Sequence, residues 1–335
     1  MDKPTISVAM CTYNGERYLV EQLNSLLTQT CLPNELVICD DGSTDGTLEI
    51  LENFQKNVLF KVFIHRNEKS LGTAKNFEKA VKNCSGSYIF MCDQDDVWLP
   101  EKIKVLTTYL NQNPAVEMVF SNAQLVDEKL NNLNRTQWDM VRFGEFQQEK
   151  WKNGSAINIM LGGNRITGCT TAFRSNLSDI SVPFPTDIPE TIHDTWLAWV
   201  ATVRRSIMPL DVKLVLYRQH AAQQIGSRPR IMPPQIGLKE RFTRSRIDKL
   251  APIIKEREEL QKLYLRLSSV EKNKGLEPLK NKLNFLTMRS QLHKNRLLRF
   301  FPALWSFTKG DYHKYKDQEA DWKAPFLAFV GDVFE

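Results

Sequence analysis

Apolar runs of strand length recur along the first third of the chain, at 6–10, 36–39, 60–64, 88–91 and 118–121. Between them, 17–28, 47–54, 73–83 and 101–110 carry apolar residues at helical spacing. In the first of these, Leu19, Leu23, Leu26 and Leu27 share one face. Pro33-Asn34 ends that helix, and Gly42-Ser-Thr-Asp45-Gly makes a turn with cap-type residues before the next. Strand following helix in this way predicts an α/β fold, with a mostly parallel sheet covered by helices on both faces.

The apolar run at 88–92 ends abruptly in Asp93, Asp95 and Asp96, three carboxylates within four residues. A second acid pair, Asp40-Asp41, closes the run at 36–39. Open α/β sheets bind ligands at the carboxyl ends of their strands, so both groups should face one crevice. Asp93 and Asp95, one residue apart, can share a divalent cation such as Mg²⁺ or Mn²⁺. The plain alternative is an acidic turn that caps the following helix. Crowded carboxylates repel one another unless a cation or hydrogen-bond donors lie between them. A nucleotide diphosphate with its metal would supply both: one aspartate accepts the N3–H of a pyrimidine, the others hold the cation, and Tyr13 offers a ring for the base.

Further on, Trp138, Phe143, Phe146 and Trp151 lie in a weakly periodic stretch, either packed on the sheet or lining an acceptor site; packing is the expectation. Gly162-Gly-Asn-Arg165 and the run at 167–173 suggest a glycine-rich turn leading into another strand. Prolines at 183, 185 and 189 punctuate a loop before a helix at 191–203, where Ile192, Trp196, Trp199, Val200 and Val203 form an apolar face. Asp194 falls near its amino end, where a carboxylate can satisfy free backbone N–H groups. A proline-rich stretch at 228–234 marks a boundary, beyond which two amphipathic helices are expected, at about 250–267 and 279–300.

A chain of 335 residues with 42% hydrophobic content can build a sizeable core, which excludes a disordered protein. Its six cysteines are scattered through apolar runs, as free thiols in a reduced cytoplasmic compartment would be. No secretion-signal pattern opens the sequence, and no run approaches the roughly 18 apolar residues of a membrane span. The net charge of +6 is uneven. Residues 238–335 hold 21 Lys and Arg against 13 Asp and Glu, so the basic character belongs to the tail. There it is interleaved with acids and lacks any DNA- or RNA-module signature, which argues against nucleic acid as a partner.

Three motifs, Val8-Ala-Met-Cys-Thr-Tyr-Asn-Gly15, Leu36-Val-Ile-Cys-Asp-Asp-Gly-Ser-Thr-Asp45 and Asp93-Gln-Asp-Asp96, together resemble the family-2 inverting glycosyltransferases with the Rossmann-like GT-A fold. Ile192-His-Asp-Thr-Trp196 and Tyr217-Arg-Gln-His220 narrow the resemblance to the subgroup of bacterial rhamnosyltransferases, over about residues 5–226. It implies that Thr12, Tyr13 and Asp41 contact the nucleotide base, and that Asp93 and Asp95 form the metal-binding D-x-D pair. Asp194 matches the catalytic base, and His220 lies beside the metal and diphosphate. After His220 the chain departs from the subgroup, with Ala221-Ala-Gln-Gln in place of the usual glycine and asparagine.

The implied organisation is a GT-A catalytic domain at 1–230 and a basic helical region at 231–335. The implied reaction moves a sugar, rhamnose foremost, from a nucleotide diphosphate sugar to an acceptor hydroxyl with inversion, in cell-surface polysaccharide synthesis. The acceptor would be a glycan or lipid-linked glycan. The alternatives are a UDP-hexose donor and a nucleotide-sugar-binding protein without catalysis. In the tail, Arg289, Lys294, Arg296 and Arg299 surround Leu286, Leu292, Leu297 and Leu298, followed by Phe300, Phe301, Leu304, Trp305 and Phe307. Such a segment suits a peripheral helix on the anionic inner face of the plasma membrane. It equally suits packing on the catalytic domain, or on a second subunit of a homo-oligomer.

Overall fold

Strand and helix alternate as the apolar pattern requires: β1 (Ile6–Thr12), α1 (Glu16–Leu27), β2 (Glu35–Asp40), α2 (Thr47–Lys56), β3 (Lys61–Arg66), α3 (Thr73–Lys82), β4 (Tyr88–Cys92), β5 (Val97–Trp98), α4 (Lys102–Gln112) and β6 (Met118–Val126). Then come β7 (Asn132–Thr136), the short helices α5 (Gln137–Met140), α6 (Glu145–Lys150) and α7 (Ala156–Met160), β8 (Thr171–Arg174), α8 (Ser175–Ser181), α9 (His193–Val203) and β9 (Ile207–Arg218). The tail is helical: α10 (Arg246–Glu271), α11 (Glu277–Ser290), α12 (Arg296–Thr308), α13 (Asp311–Lys314) and α14 (Ala324–Phe334). The structure, a computed structural model, describes residues 4–188, 191–221, 223, 245–271, 275–316 and 322–334. The chain divides into two units, Met1–Ile159 with Asn164–Arg228, and Met160–Gly163 with Pro229–Glu335. The proline-marked boundary at 228–234, Pro189, and the Ala222 and Gln224 of the variant segment after His220 lie outside the described residues.

In the first unit the strand order is β3-β2-β1-β4-β8-β6-β9-β5, with β7 on β6. β3, β2, β1 and β4 are mutually parallel. β8 runs antiparallel between β4 and β6, and β9 runs parallel to β6. The mostly parallel α/β sheet expected from the pattern is therefore present. β2 and β4 are buried at every position, as strands covered on both faces must be. Their apolar residues join Leu19, Leu23 and Leu26 of α1 and Ile103, Leu106 and Leu110 of α4 in one core.

Trp138, Phe143 and Trp151 pack around Phe120 of β6, with ring centroids 5.4–5.9 Å from it, so three of the four mid-chain aromatics are core. Phe146 alone of the four is exposed. The register of β1 against β2 and β4 sets Thr12 opposite Asp40 and Met10 opposite Cys92, so the acidic turns after β2 and β4 emerge on either side of the loop after β1. In the second unit the helix expected at 279–300 is two helices. The chain breaks at Gln291–Asn295, and the Asn295 side chain caps α12 by accepting the Leu297 N–H at 2.9 Å. Among the described residues no helix is long and apolar enough to cross a membrane.

Candidate active site

The two aspartates after β2 have separate tasks. Asp40 closes its own turn, accepting from the Ser43 N–H at 2.9 Å and from the Thr12 hydroxyl at 2.9 Å. Gly42, at φ +87°, supplies the left-handed residue that turn needs. Asp41 reaches the other way, to the loop before α3. One of its oxygens accepts from Asn67 Nδ2 (2.8 Å) and the Leu71 N–H (2.7 Å), the other from the Ser70 hydroxyl (2.7 Å) and the Gly72 N–H (3.0 Å). Burial pushes this carboxyl up, but the four donors outweigh it and hold it below its ordinary value.

Beside them the loop after β1 is stitched to both neighbours. The Asn14 N–H donates to Ser43 Oγ, and Asn14 Oδ1 accepts from the Thr44 N–H, both at 2.9 Å. Tyr13 is 47% exposed, its ring free to take a planar ligand, whereas the Thr12 side chain is buried on Asp40. On the far side, Gln94 forms a two-point pair with the Tyr13 peptide groups. The Tyr13 N–H donates to Gln94 Oε1 at 2.8 Å, and Gln94 Nε2 donates to the Tyr13 carbonyl at 3.0 Å.

The acids after β4 sort into two groups. Asp95 Oδ2 lies 2.8 Å from His220 Nε2, and the imidazole packs on Tyr18 with ring centroids 4.8 Å apart. Asp93, half-buried, groups instead with Asp96 and Cys169, whose ligand atoms all lie within 4.8 Å of one another. Asp96 is fully buried; its Oδ1 accepts the Arg218 N–H at 3.1 Å and its Oδ2 has no hydrogen-bond partner. Burial and the charge of Asp95 push the Asp96 carboxyl up to about 7. Burial, then the charges of Asp96, Asp95 and Asp194, push Asp93 well above the carboxylate range. The Cys169 thiol is pushed far up by burial and by Asp96 and Asp93, so it stays protonated and is no ligand for a hard cation. The oxygens of Asp93 and Asp96, crowded and in part unpartnered, and the Asp95–His220 pair on the same turn are donor types that suit a divalent metal.

Two buried cations flank this turn. The Arg218 side chain at the end of β9 donates to the Asp95 carbonyl at 2.7 Å and pairs with Glu21 of α1. Lys102, fully buried at the start of α4, donates to the Cys169 carbonyl and sits 3.2 Å from the centroid of the Trp98 ring. Burial lowers its pKa to about 8 against the raising effect of Cys169, Cys92, Asp96 and Asp93. In the sequence none of Arg218, Lys102 and Gln94 has a role of its own; Arg218 and Gln94 stand there only within motifs. Lys102 reads there as one more polar residue in a helix start, and only its burial separates it from solvated lysines.

Asp194 lies in the first turn of α9, a helix buried along its whole length. Its Oδ1 accepts from the Thr195 N–H (2.6 Å) and hydroxyl (3.2 Å), and its Oδ2 from the Gly168 N–H (2.8 Å). A Cβ on Gly168 would stand 3.2 Å from His193 Nε2, so glycine permits this close approach. His193 stacks on Phe77 at 4.0 Å, and burial holds its imidazole below the ordinary value. Through Gly168, the neighbour in sequence of Cys169, the amino end of α9 is tied to the group that Cys169 forms with Asp93 and Asp96.

Clustered carboxylates thus stand at the carboxyl ends of parallel strands, where open α/β sheets bind their ligands. Residues 7–168, just under half of the chain, match the family model of glycosyl transferase family 2. An uncharacterised glycosyltransferase of Methanocaldococcus jannaschii is 32% identical over 160 residues, covering 47% of this chain and 55% of that protein. The abequosyltransferase RfbV of Salmonella typhimurium is 35% identical over 108 residues, 32% of either chain. The chain thus spans little more than half the length of the first relative and a third of the second. In fold, it is similar to S. aureus TarS 1-349 in complex with UDP-GlcNAc, with a TM-score of 0.56 at 17% identity over 98% of this chain and 81% of that one. The architecture is GT-A-like, with helices following the sheet.

Proposed function

We propose that the chain transfers a sugar from a nucleotide diphosphate sugar to an acceptor hydroxyl, with inversion and with a divalent cation. The observation that carries this reading is the Asp95–His220 pair after β4, with Asp194 bonded to Gly168 next to the Asp93–Asp96–Cys169 group, and an exposed Tyr13 on the neighbouring loop. Tyr13 stacks the base. Asp41, with four donors already on its oxygens, shapes the base pocket through the 67–72 loop, and a base N–H there would share or displace one of them. Asp93, Asp95 and His220 would hold the cation, which offsets the charge of the departing diphosphate.

Asp194 keeps a lone pair on Oδ2 beyond the Gly168 contact, and its two peptide donors fix its orientation. It takes the proton of the acceptor hydroxyl as that oxygen attacks the anomeric carbon from the face opposite the diphosphate. The donor we place first is dTDP-rhamnose, on the strength of His193-Asp-Thr-Trp196 and Arg218-Gln-His220. A UDP-hexose is the competitor, favoured by the UDP-GlcNAc held in a protein of similar fold.

For the second unit we propose peripheral contact with an anionic membrane that carries a lipid-linked acceptor. Phe300, Leu304 and Phe307 of α12 pack inward with Phe285, Tyr312 and Phe329, while Leu297, Leu298, Phe301 and Trp305 face outward. Residues 291–310 hold four Lys and Arg and no acid. An apolar face rimmed by cations is what an in-plane helix presents to anionic lipid.

The deciding experiment screens nucleotide sugars for release of nucleotide diphosphate. Release from one donor, erased by chelator while the thermal transition persists, supports the reading. Equal turnover with chelator removes the cation from it; turnover with a UDP-hexose alone removes rhamnose; binding without turnover leaves a sugar-nucleotide-binding protein.

A further inference from the structure

Gln94 stands between the two carboxylates assigned to the cation, yet its side chain turns away from them. It takes both backbone groups of Tyr13, the N–H and the carbonyl, at 2.8 and 3.0 Å, as a neighbouring strand would. The fit is close. A Cβ on Gly15 would lie 2.3 Å from Gln94 Oε1, so the amide reaches Tyr13 only because residue 15 has no side chain. The loop 12–15 is held on its other side by Ser43 and Thr47, which accept the Asn14 and Gly15 N–H groups at 2.9 and 2.8 Å. Gln94 is therefore the link by which a shift of the acidic turn reaches the Tyr13 backbone, and so its ring.

We propose that Gln94 is a positioning residue that couples the cation site to the base platform, so that a bound cation strengthens base binding even where the ligand has no phosphate to touch it. The proposal rests on the reading of Tyr13 and of Asp93/Asp95 given above. Physically, drawing Asp93 and Asp95 together around a cation fixes the peptide units on either side of Gln94. The amide pair then fixes Tyr13, and the ordering cost of the platform is met before the base arrives. Linkage makes the effect reciprocal: the base must tighten the cation by the same factor.

The test uses uridine and thymidine, which lack any phosphate, and UDP as a control, each titrated with and without saturating Mg²⁺ by ligand-observed NMR. In the wild type, nucleoside affinity is expected to rise with Mg²⁺ by about five-fold or more, the lower end of ordinary couplings. Gln94→Ala should bring that factor below about two-fold, leaving the Mg²⁺ enhancement of UDP binding largely in place, because the diphosphate meets the cation directly. Gly15→Ala, which displaces the amide without altering it, should do the same. A purely structural glutamine would lower the melting temperature and weaken nucleosides equally with and without Mg²⁺. Wild-type enhancement for UDP but not for nucleosides, or enhancement surviving both substitutions, overturns the coupling alone. No Mg²⁺ effect on UDP, or no nucleoside binding at all, overturns the functional reading and the coupling with it.

Discussion

Asp194→Asn should cut transfer by roughly 10²–10⁴-fold, the usual scale for a general base, while donor affinity stays within a few-fold. Asparagine keeps one acceptor oxygen, which can still take the Gly168 N–H while the Thr195 N–H contact is given up, so the loop at 168 keeps its anchor and the basic oxygen is lost. Single-turnover rates measured beside equilibrium donor binding check this; a parallel fall in both would make Asp194 a helix-start carboxylate and nothing more. At this scale the sequence identifies which residues cluster but not which partner each takes. Asp40 and Asp41 are chemically identical neighbours, and strand alternation sends one into its own turn and the other to the 67–72 loop. Asp95 pairs with a histidine 125 positions away, and no local pattern shows that. Gln94 and Lys102 were illegible because their roles rest on contacts and burial, not on residue type.

Among elements, the parallel strands and their helices were the most legible, since an apolar run of strand length closed by turn residues admits few other structures. β8 was harder. Its direction between β4 and β6 depends on pairing alone, and a four-residue strand carries no signal for it. The tail misled in another way, because the apolar spacing runs on through Gln291–Asn295 where the chain breaks, and only the Asn295 cap marks the new helix. That break lets α12 bury one aromatic face and expose the other. Phe301 and Trp305 are 72% and 65% exposed, so Phe301→Glu with Trp305→Glu should leave stability within about 1 kcal/mol. In vesicle co-sedimentation the full-length wild type should pellet with anionic vesicles in a salt-sensitive manner, and the double variant should remain in the supernatant. Equal pelleting by both, or none by the wild type, would assign this face to protein contact.

For the molecule as a whole, the raised carboxyls would tie the proposed cation binding to pH. Asp96 titrates at about 7 when folded and near 3.8 when unfolded, so between those values the folded chain holds a proton the unfolded chain has released. Its contribution to stability therefore falls as pH rises through that window. Asp93 acts in the same direction, whereas His193, lowered by burial, gains stability as pH rises through the ordinary histidine value. Opposed terms blur a melting curve, but a cation titration separates them, because the metal displaces the carboxyl protons. Apparent Mn²⁺ affinity should rise between pH 5 and pH 7.5, by up to about ten-fold per pH unit for each proton displaced. A flat profile by calorimetry would mean that these acids are already ionised in the folded protein.

Lys102 bears on the order in which the protein is assembled and supplied. Asp93 and Asp96 are crowded carboxyls that burial and neighbouring charge hold toward the protonated form, and the charge of Lys102 opposes that shift. The buried ammonium group, clamped between the Trp98 ring and the Cys169 carbonyl, is part of the chain and arrives with it. The scaffold can therefore complete itself in a metal-poor compartment. A cation taken up at the proposed site would then be added to a finished scaffold, not built into it.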